Sequence, residues 1–371
     1  MDGKNNLFFN DCVQIGREIW FSACNKNGIY KYDLDKKRYT FVDYFQKEKI
    51  DAMFLHSNIV QYHHKLYFIP FQAKMISVYD LVNRKIKEIK LPESRFNVTY
   101  SFFQKSLLKD DHCILVPCRY EKVIKLNFRD DTLEEFDIFP ESIERMKRDI
   151  PYIFMGGDLK NDQLWLGSFQ SNCVEQINLE TNNRDKIYIN DNIDGISHLH
   201  LYKDKLIVLN KRGCVLVCDM NGKVLNKKTI VENKNALTCF YNSVIVKDWL
   251  YISDVSYNYI YCYDLKNNSI QMLQVGTKSE NKKFPLFWAE FTLLKESMDE
   301  EVLAMSVEDG GGYCIHNNKI KKILDSTYVI DAKEWKNINQ CIPVHNENDL
   351  IVYEVNVLEN WLKGNLLNKE K

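Results

Sequence analysis

Two histidines spaced two residues apart, His198 and His200, are the side chains of this sequence best suited to bind a transition metal. Alternate residues of a β-strand point to the same face, so both imidazoles would share a face if this segment is extended. A third ligand would have to come from a distant part of the chain, and His56 is the best candidate. The simpler interpretation, one polar histidine and one packed against a neighbouring element, is favoured. No cofactor is therefore predicted, and a divalent metal is the alternative.

Carboxylates near such a histidine could provide acid–base catalysis or complete a metal site. Glu290 and Glu308, together with His198, are the candidate catalytic residues. None of the three lies in a recognisable catalytic motif, and the chain has no GxSxG elbow, P-loop, dinucleotide fingerprint or CxxC pair. The sequence therefore leaves open whether the protein is an enzyme.

Other polar and aromatic side chains could hold a ligand without catalysing a reaction. Amides fix the orientation of polar groups, arginine forks hold carboxylates or phosphates, and a tryptophan face packs against sugars or peptides. The predicted ligand-binding residues are Asn10, Asn58, Arg119, His198, Arg212, Asn242, Trp288 and Glu308. The competing interpretation assigns them to a wet channel wall, a solvated charged rim and a packed core.

These candidates are positioned by a pattern that occurs eight times: an apolar segment, a polar loop, a second apolar segment, a turn and a lysine-rich third segment. The second residue of each first segment marks the copies, which are Trp20, Tyr67, Ile114, Trp165, Ile207, Tyr251, Leu303 and Ile351. The markers recur about every 40 to 50 residues, the spacing of four-stranded propeller blades. Helical repeats would need apolar spacings of three and four, which these segments lack.

The sixth copy gives the order of strands within a unit. An innermost strand at 242–246 turns at Lys247 and Asp248 into LYISD, and the strands YIYCYDL and SIQMLQV follow after further turns. Inner strands are rich in aliphatic and aromatic residues, whereas outer strands such as KIKEIKL alternate lysine with apolar residues. This gradient indicates that burial decreases outward from a central axis.

The segments LYISDVSYNYIYCYDLKNNSI and LYFIPFQAKMISVYDLVNRKI resemble the YVTN-type repeat of bacterial β-propellers, in which a tyrosine-containing strand precedes one that ends in Asp and an apolar residue. The repeats are also similar to those of streptogramin-lyase-like and kelch-like propellers, although the paired glycines of kelch blades are missing. The resemblance implies the fold and leaves activity open. It also implies that His56, His198, Glu290 and Glu308 would imitate the histidines and magnesium-binding acidic groups of the lyases.

The predicted fold is all-β, a single β-propeller over residues 1–371 with eight inner hairpins. Seven hairpins belong to complete four-stranded blades, and the eighth, INQCIPVHNENDLIVYEV, belongs to a partial C-terminal blade. A short helix at about 356–368 would cover the open edge of that blade. The alternative is a seven-bladed ring with a C-terminal appendage.

Long connections between units mark one face of the predicted ring as the place for a site. They begin at Pro92, Pro140, Gly276 and Ser326. Loops of this kind carry function because they are free of the packing that fixes the blades. The second of them, PESIERMKRDI, predicts a short helix that serves either as a lid or as packing against the blade tops.

Charge and composition restrict the partners. The 50 basic and 51 acidic residues nearly cancel, so no overall field attracts nucleic acid or an anionic membrane. No apolar run reaches the roughly 18 to 20 residues of a membrane span, and the chain does not begin with a signal-peptide pattern. The sequence predicts a cytoplasmic protein without nucleic-acid or membrane partners.

The absence of a catalytic motif and the long loops over a regular frame favour a non-catalytic propeller. It would bind a protein, peptide or saccharide on the long-loop face and assist a biosynthetic or modifying enzyme. The alternative is a metal-assisted lyase or hydrolase acting on a saccharide or cyclic peptide.

Overall fold

The computed structural model describes residues 7, 9–49, 52–94, 102–146, 152–231, 238–254, 259–274, 291–296, 301–306 and 311–324. These residues form seven antiparallel sheets of four strands, and in every sheet the strands are hydrogen-bonded in chain order. The first strands of successive sheets pack against one another around the ring, so the first strand of each sheet is the innermost. Each sheet is one blade, and the predicted all-β propeller is confirmed.

The strands of the first four blades are as follows. Blade 1 contains β1 (Cys12–Ile15), β2 (Glu18–Ser22), β3 (Ile29–Asp33) and β4 (Arg38–Asp43). Blade 2 contains β5 (His56–Tyr62), β6 (Lys65–Pro70), β7 (Met75–Asp80) and β8 (Lys85–Lys90). Blade 3 contains β9 (Phe103–Lys109), β10 (His112–Pro117), β11 (Lys122–Asn127) and β12 (Leu133–Asp137). Blade 4 contains β13 (Phe154–Lys160), β14 (Gln163–Ser168), β15 (Cys173–Asn178) and β16 (Arg184–Tyr188).

The remaining three blades also have four strands each, in chain order. Blade 5 contains β17 (Ile196–Tyr202), β18 (Lys205–Asn210), β19 (Cys214–Cys218) and β20 (Val224–Thr229). Blade 6 contains β21 (Phe240–Val246), β22 (Trp249–Asp254), β23 (Tyr259–Asp264) and β24 (Ile270–Gln274). Blade 7 contains β25 (Phe291–Glu296), β26 (Val302–Ser306), β27 (Gly312–His316) and β28 (Lys319–Leu324).

Burial follows the predicted gradient from the axis outward. In β10, the second strand of blade 3, every residue after His112 is buried. The outer strand β8 instead exposes Lys85, Lys87 and Lys90 and buries Ile89. Continuous apolar segments therefore form strands that are covered on both faces, whereas alternating segments form the half-exposed outer strands.

Blade 7 closes the ring against blade 1. Ile323 and Leu324 of β28 and Leu303 of β26 pack into the core cluster that contains Cys12 and Ile19 of blade 1. This contact fits the seven-bladed alternative of the sequence prediction. The predicted eighth hairpin and the helix at about 356–368 lie outside the described residues.

First strands carry a β-bulge close to the point where the chain enters the blade. The strand register shifts there in β5, β9, β13, β17, β21 and β25. A bulge adds one residue to one strand, so it changes which side chains face a given neighbour. We call the surface at which the first strands begin the entry face; it also carries the described parts of the connections between blades and the described loops between second and third strands.

Backbone hydrogen bonds on the entry face join blade 1 to 2, 2 to 3, 3 to 4 and 5 to 6. In blade 3, the Cys118 N–H donates to Phe102 O at 2.9 Å, and Cys118 O accepts from the Ile153 N–H of the following blade at 2.7 Å. We call this place in the loop after each second strand the staple position. Phe71, Cys118 and Lys211 make both of these hydrogen bonds in blades 2, 3 and 5. In blade 1, Cys24 O accepts the Phe54 N–H, and in blade 4 the Phe169 N–H donates to Ile153 O, so these two residues take the staple position of their blades.

The connection from blade 3 to blade 4 contains the predicted short helix, α1 (Pro140–Met146). Proline suits its first turn because that position needs no backbone donor. Ile143 packs against the core cluster shared by blades 3 and 4, so the helix lies on the blade tops. No helix in the described ranges is long and apolar enough to cross a lipid bilayer.

Candidate functional site

One residue from each of the first six blades, in the inner strand or just before it, lies at the same level of the central channel, close to the entry face. Counting back from the inner hairpin turns, this channel level contains Asp11, Asn58, Lys105, Gly156, His198 and Asn242. Three of the residues predicted from the sequence, Asn58, His198 and Asn242, therefore share one level. A fourth, Asn10, precedes it by one residue.

Two aspartates join neighbouring inner strands in the same way. Asp11 Oδ1 accepts the N–H of the next residue at 2.8 Å, and its Oδ2 accepts the Ile59 N–H of blade 2 at 3.0 Å. Asp158 repeats this between blades 4 and 5, with its own next N–H at 2.8 Å and the Leu201 N–H at 2.7 Å. Each carboxylate thus satisfies one donor in its own strand and one in the next blade.

Polar side chains also join blade 3 to blade 4 and blade 5 to blade 6. Lys105 Nζ donates to Gly157 O of blade 4 at 3.0 Å. His200 Nε2 and Ser243 Oγ of blade 6 share a hydrogen bond of 2.7 Å. The inner strands are therefore joined by side chains as well as by apolar packing.

Burial controls the charge of this polar channel wall. It lowers the pKa of His56 to about 3. It also lowers the pKa of His200 well below the ordinary value, and the charges of Lys105 and His198 act in the same direction. The pKa of Lys105 is lowered by burial and raised again in part by Asp158. His56 and His200 are therefore uncharged at neutral pH and offer neutral hydrogen-bonding groups.

Blades 1 and 2 leave four buried polar atoms without a hydrogen-bond partner among the described residues. These atoms are Asn10 Oδ1, His56 Nε2, Ser57 Oγ and Asn58 Oδ1. Their residues are adjacent, because Asn10 Nδ2 donates to His56 O at 3.3 Å and Asn58 Nδ2 donates to Asp11 Oδ2 at 3.4 Å. The imidazole is fixed by a 2.9 Å hydrogen bond between its Nδ1 and Ser22 Oγ. We call this group the polar cluster of blades 1 and 2.

The metal hypothesis concerned three histidines in two blades. No group of three or more His, Cys, Asp and Glu side chains in the described part of the chain is arranged to hold a metal ion, so His56, His198 and His200 do not form such a group by themselves. His200 instead contacts the neighbouring blade through Ser243. Other predicted site residues, Glu290, Glu308 and Trp288, lie outside the described residues.

The two predicted arginines lie in loops on the entry face, in different blades. Arg119 follows the staple residue of blade 3 and is half-buried. Arg212 follows the staple residue of blade 5, and its Nε donates to Asp194 Oδ2 at 2.8 Å. Both therefore lie on the predicted face and belong to separate parts of the ring.

Lys105 and Asp158 were missed in the sequence, although both take part in the channel wall. The distance from the hairpin turn was a signal that the sequence contains. Lys105 stands four residues before the last residue of its inner strand, as Asn58 and His198 do. Asp158 stands two residues closer to the turn, at the level of His200. A count from the hairpin turn, rather than from the start of the strand, would have found both.

Two of the long connections begin with the same three residues, Pro-Glu-Ser, and both serines bind a buried glutamate of the following blade. Ser94 Oγ donates to Glu121 Oε2 at 2.7 Å. Ser142 Oγ donates to Glu175 Oε1, and Glu175 Oε2 accepts the Phe139 N–H at 3.3 Å. The start of α1 is therefore tied to blade 4, which supports packing rather than a freely opening lid.

Replacing Ser142 with alanine is expected to lower the free energy of unfolding by about 1.5 kcal/mol, because it removes a hydrogen bond to a buried acidic group. Burial raises the pKa of Glu175, and the Ser142 hydroxyl opposes that shift. Ser94→Ala is the matched variant, and its effect should be smaller because Ser94 is only half-buried. Urea denaturation measures both, and equal stability of Ser142→Ala and wild type would contradict the expected role.

The fold defines the class: a seven-bladed β-propeller, whose inner strands carry polar side chains near the entry face. The sequence matches no protein-family model and no curated protein. Solved structures do resemble it. A streptogramin B lyase has a TM-score of 0.54 at 15% identity, covering 86% of this chain and 93% of that chain.

Two further solved structures have similar TM-scores. BamB from Moraxella catarrhalis has a TM-score of 0.52 at 10% identity, with 80% of this chain and 81% of that chain covered. The WD40 propeller domain of Doa1 has a TM-score of 0.58 at 10% identity, with 83% and 92% covered. At these identities the similarity supports the propeller fold and carries no residue-level assignment.

Proposed function

We propose that this protein is a non-catalytic β-propeller that binds a protein, peptide or saccharide through the entry face. The polar cluster of blades 1 and 2 carries the proposal. A buried polar group without a partner costs about 1 to 3 kcal/mol, and folded proteins keep few of them. Here four occur together in neighbouring residues at the start of the inner strands, on the entry face.

The chemistry of the cluster favours uncharged ligand groups. His56 is neutral, and the unfilled atoms are two amide oxygens, one hydroxyl and one imidazole nitrogen. Peptide amides and sugar hydroxyls supply both donors and acceptors, so they could satisfy such atoms. The rigid blades hold these groups in place, which reduces the entropy lost on binding. A role beside a biosynthetic or modifying enzyme, in the cytoplasm, completes the proposal.

A thermal-shift screen of the full chain against defined peptides and oligosaccharides tests the proposal. A ligand at a hundred times its dissociation constant stabilises the folded state by about 2.7 kcal/mol. Asn58→Leu should abolish the shift of any peptide or oligosaccharide that binds. Asn183→Leu is the control, because Asn183 is exposed in a turn on the opposite face. If the control abolishes the shift and Asn58→Leu does not, the entry face is the wrong choice.

A metal-assisted lyase or hydrolase acting on a saccharide or cyclic peptide is the second proposal. It is favoured by the position of His198 on the channel level, close enough to His200 to influence its pKa. Glu290 and Glu308 would complete the group. Elemental analysis of the full chain after dialysis against Mg²⁺ or Zn²⁺ tests it: a stoichiometric ion lost in His198→Ala supports this proposal, and an ion content independent of His198 contradicts it.

A further inference from the structure

The staple position makes the same two backbone hydrogen bonds in blades 2, 3 and 5 and one of them in blades 1 and 4, but its side chain differs between blades. In blades 1 to 4 it contains Cys24, Phe71, Cys118 and Phe169. In blade 5 it contains Lys211, whose N–H donates to Gly195 O at 3.2 Å and whose carbonyl accepts the Cys239 N–H at 2.8 Å. Because the staple uses only backbone atoms, the fold does not require a charged side chain at this place.

The Lys211 side chain is buried in a narrow space beside Gly195. Lys211 is 5% exposed. A Cβ atom at Gly195 would lie 2.6 Å from Lys211 Cε, so any larger residue there would displace the lysine chain. The ammonium lies 5.1 Å from the centre of the Phe169 ring, within the range of a cation–π contact. A long alkyl chain is therefore held along an apolar wall with its charge at one end.

The nearby carboxylate does not satisfy this charge. Asp194 Oδ2 accepts a hydrogen bond from Arg212 Nε at 2.8 Å, and the same oxygen lies 4.0 Å from Lys211 Nζ. That separation exceeds hydrogen-bond distance. Burial lowers the pKa of Lys211, and Asp194 opposes the shift only in part. Within the described residues, the ammonium thus receives a weak ion pair and a ring contact.

We propose that Lys211 anchors a subsite for an oxyanion, a carboxylate or a phosphate, on the entry face of blade 5. A buried ammonium costs free energy unless it is paired, whereas an apolar residue serves the other four blades. A charge-assisted hydrogen bond from a ligand oxyanion would supply the missing pairing. The subsite deepens the proposed function, on which it rests, by adding an anionic group to the ligand.

Titration of the full chain with sodium phosphate and, separately, sodium acetate tests the subsite at pH 7 and constant ionic strength, with chloride as the exchanged anion. Wild-type protein should show a saturable rise in Tm, and Lys211→Met should weaken the apparent affinity by about tenfold or more. Lys205→Met, which removes an exposed lysine of the same blade, should leave the affinity unchanged. A response to phosphate alone assigns a phosphate ester, a response to acetate alone assigns a carboxylate, and a response to both assigns an oxyanion site that accepts either group.

The stability of Lys211→Met without added phosphate or acetate separates binding from structure. We expect its Tm to equal or exceed that of wild type, because methionine retains the length and removes the buried charge. Equal anion responses in wild type and Lys211→Met, or a Tm of the variant well below wild type, would overturn the subsite. Asn58→Leu should keep the phosphate or acetate response. If only the peptide or saccharide response exists, the subsite fails and the proposed function stands.

Discussion

Replacing Asp158 with asparagine is expected to lower the free energy of unfolding by about 3 kcal/mol. The carboxylate accepts the N–H groups of Leu159 and Leu201 through its two oxygens. The amide of asparagine keeps one acceptor and turns an NH₂ group toward the other N–H, which then has no acceptor. The change also removes the negative charge that raises the pKa of Lys105. Blades 4 and 5 would thus lose both a hydrogen bond and a compensating charge.

Urea denaturation followed by tryptophan fluorescence measures this loss. Asp204→Asn is the matched control, because the Asp204 side chain is 94% exposed and lies 3.3 Å from Lys160 Nζ. Exposed ion pairs contribute about 0 to 1 kcal/mol, so the control should remain close to wild type. Asp11→Asn should reproduce the sign of the Asp158 effect between blades 1 and 2. If Asp158→Asn is no less stable than Asp204→Asn, the aspartates do not fasten the inner strands.

The sequence was sufficient to predict the blades because apolar segments and turn residues report local structure. Trp20, Tyr67 and Trp165 each mark a second strand, and the structure places them on β2, β6 and β14. The innermost strand predicted at 242–246 lies within β21. These features depend on alternation and turn chemistry over a few residues, which a single sequence contains.

The channel wall could be predicted only in part because it depends on register between strands. Asn58, His198 and Asn242 follow a bulge, and each was found because it is polar near a strand start. Lys105 has the same position in its strand, but a lysine in an extended segment normally indicates a solvent-facing residue. The structure shows that it reaches Gly157 O of the next blade instead. Such contacts between blades leave no local signature in the sequence.

The structure was also needed to recognise that Lys211 differs from the equivalent residues of the other blades. In the sequence it is one of two basic residues in a loop, next to Arg212. Only the backbone hydrogen bonds show that it is equivalent to Phe71 and Cys118 of other blades. Once the equivalence is known, a charge at an otherwise apolar position becomes informative.

Acidification is expected to destabilise the protein through His56, whose pKa burial lowers from 6.5 to about 3. Above pH 6.5 the imidazole is neutral in both the folded and the unfolded protein, so it contributes no pH dependence. As the pH falls from 6.5 toward 3, the unfolded chain binds a proton that the folded protein excludes, and stability is lost progressively. Between pH 8 and pH 5 this loss amounts to about 2 kcal/mol. His200 acts in the same direction.

His56→Phe isolates this contribution. The phenyl ring suits the site, since the imidazole packs 4.3 Å from the Phe45 ring and 5.4 Å from the Phe68 ring, between centroids. Ser22 Oγ loses its hydrogen bond at every pH, so that cost is constant. The difference in unfolding free energy between wild type and variant should therefore change by about 2 kcal/mol in favour of the variant from pH 8 to pH 5.

Urea denaturation at several pH values measures the change, and His64→Phe is the control. His64 is exposed on the opposite face, with its Nε2 3.6 Å from Asp80 Oδ2, so its replacement should not reproduce the acid-dependent gain. A difference between wild type and His56→Phe that is the same at pH 8 and pH 5 would mean that folded His56 titrates like an exposed imidazole. The polar cluster of blades 1 and 2 would then carry a charge near pH 6, and it would select anionic rather than neutral ligand groups.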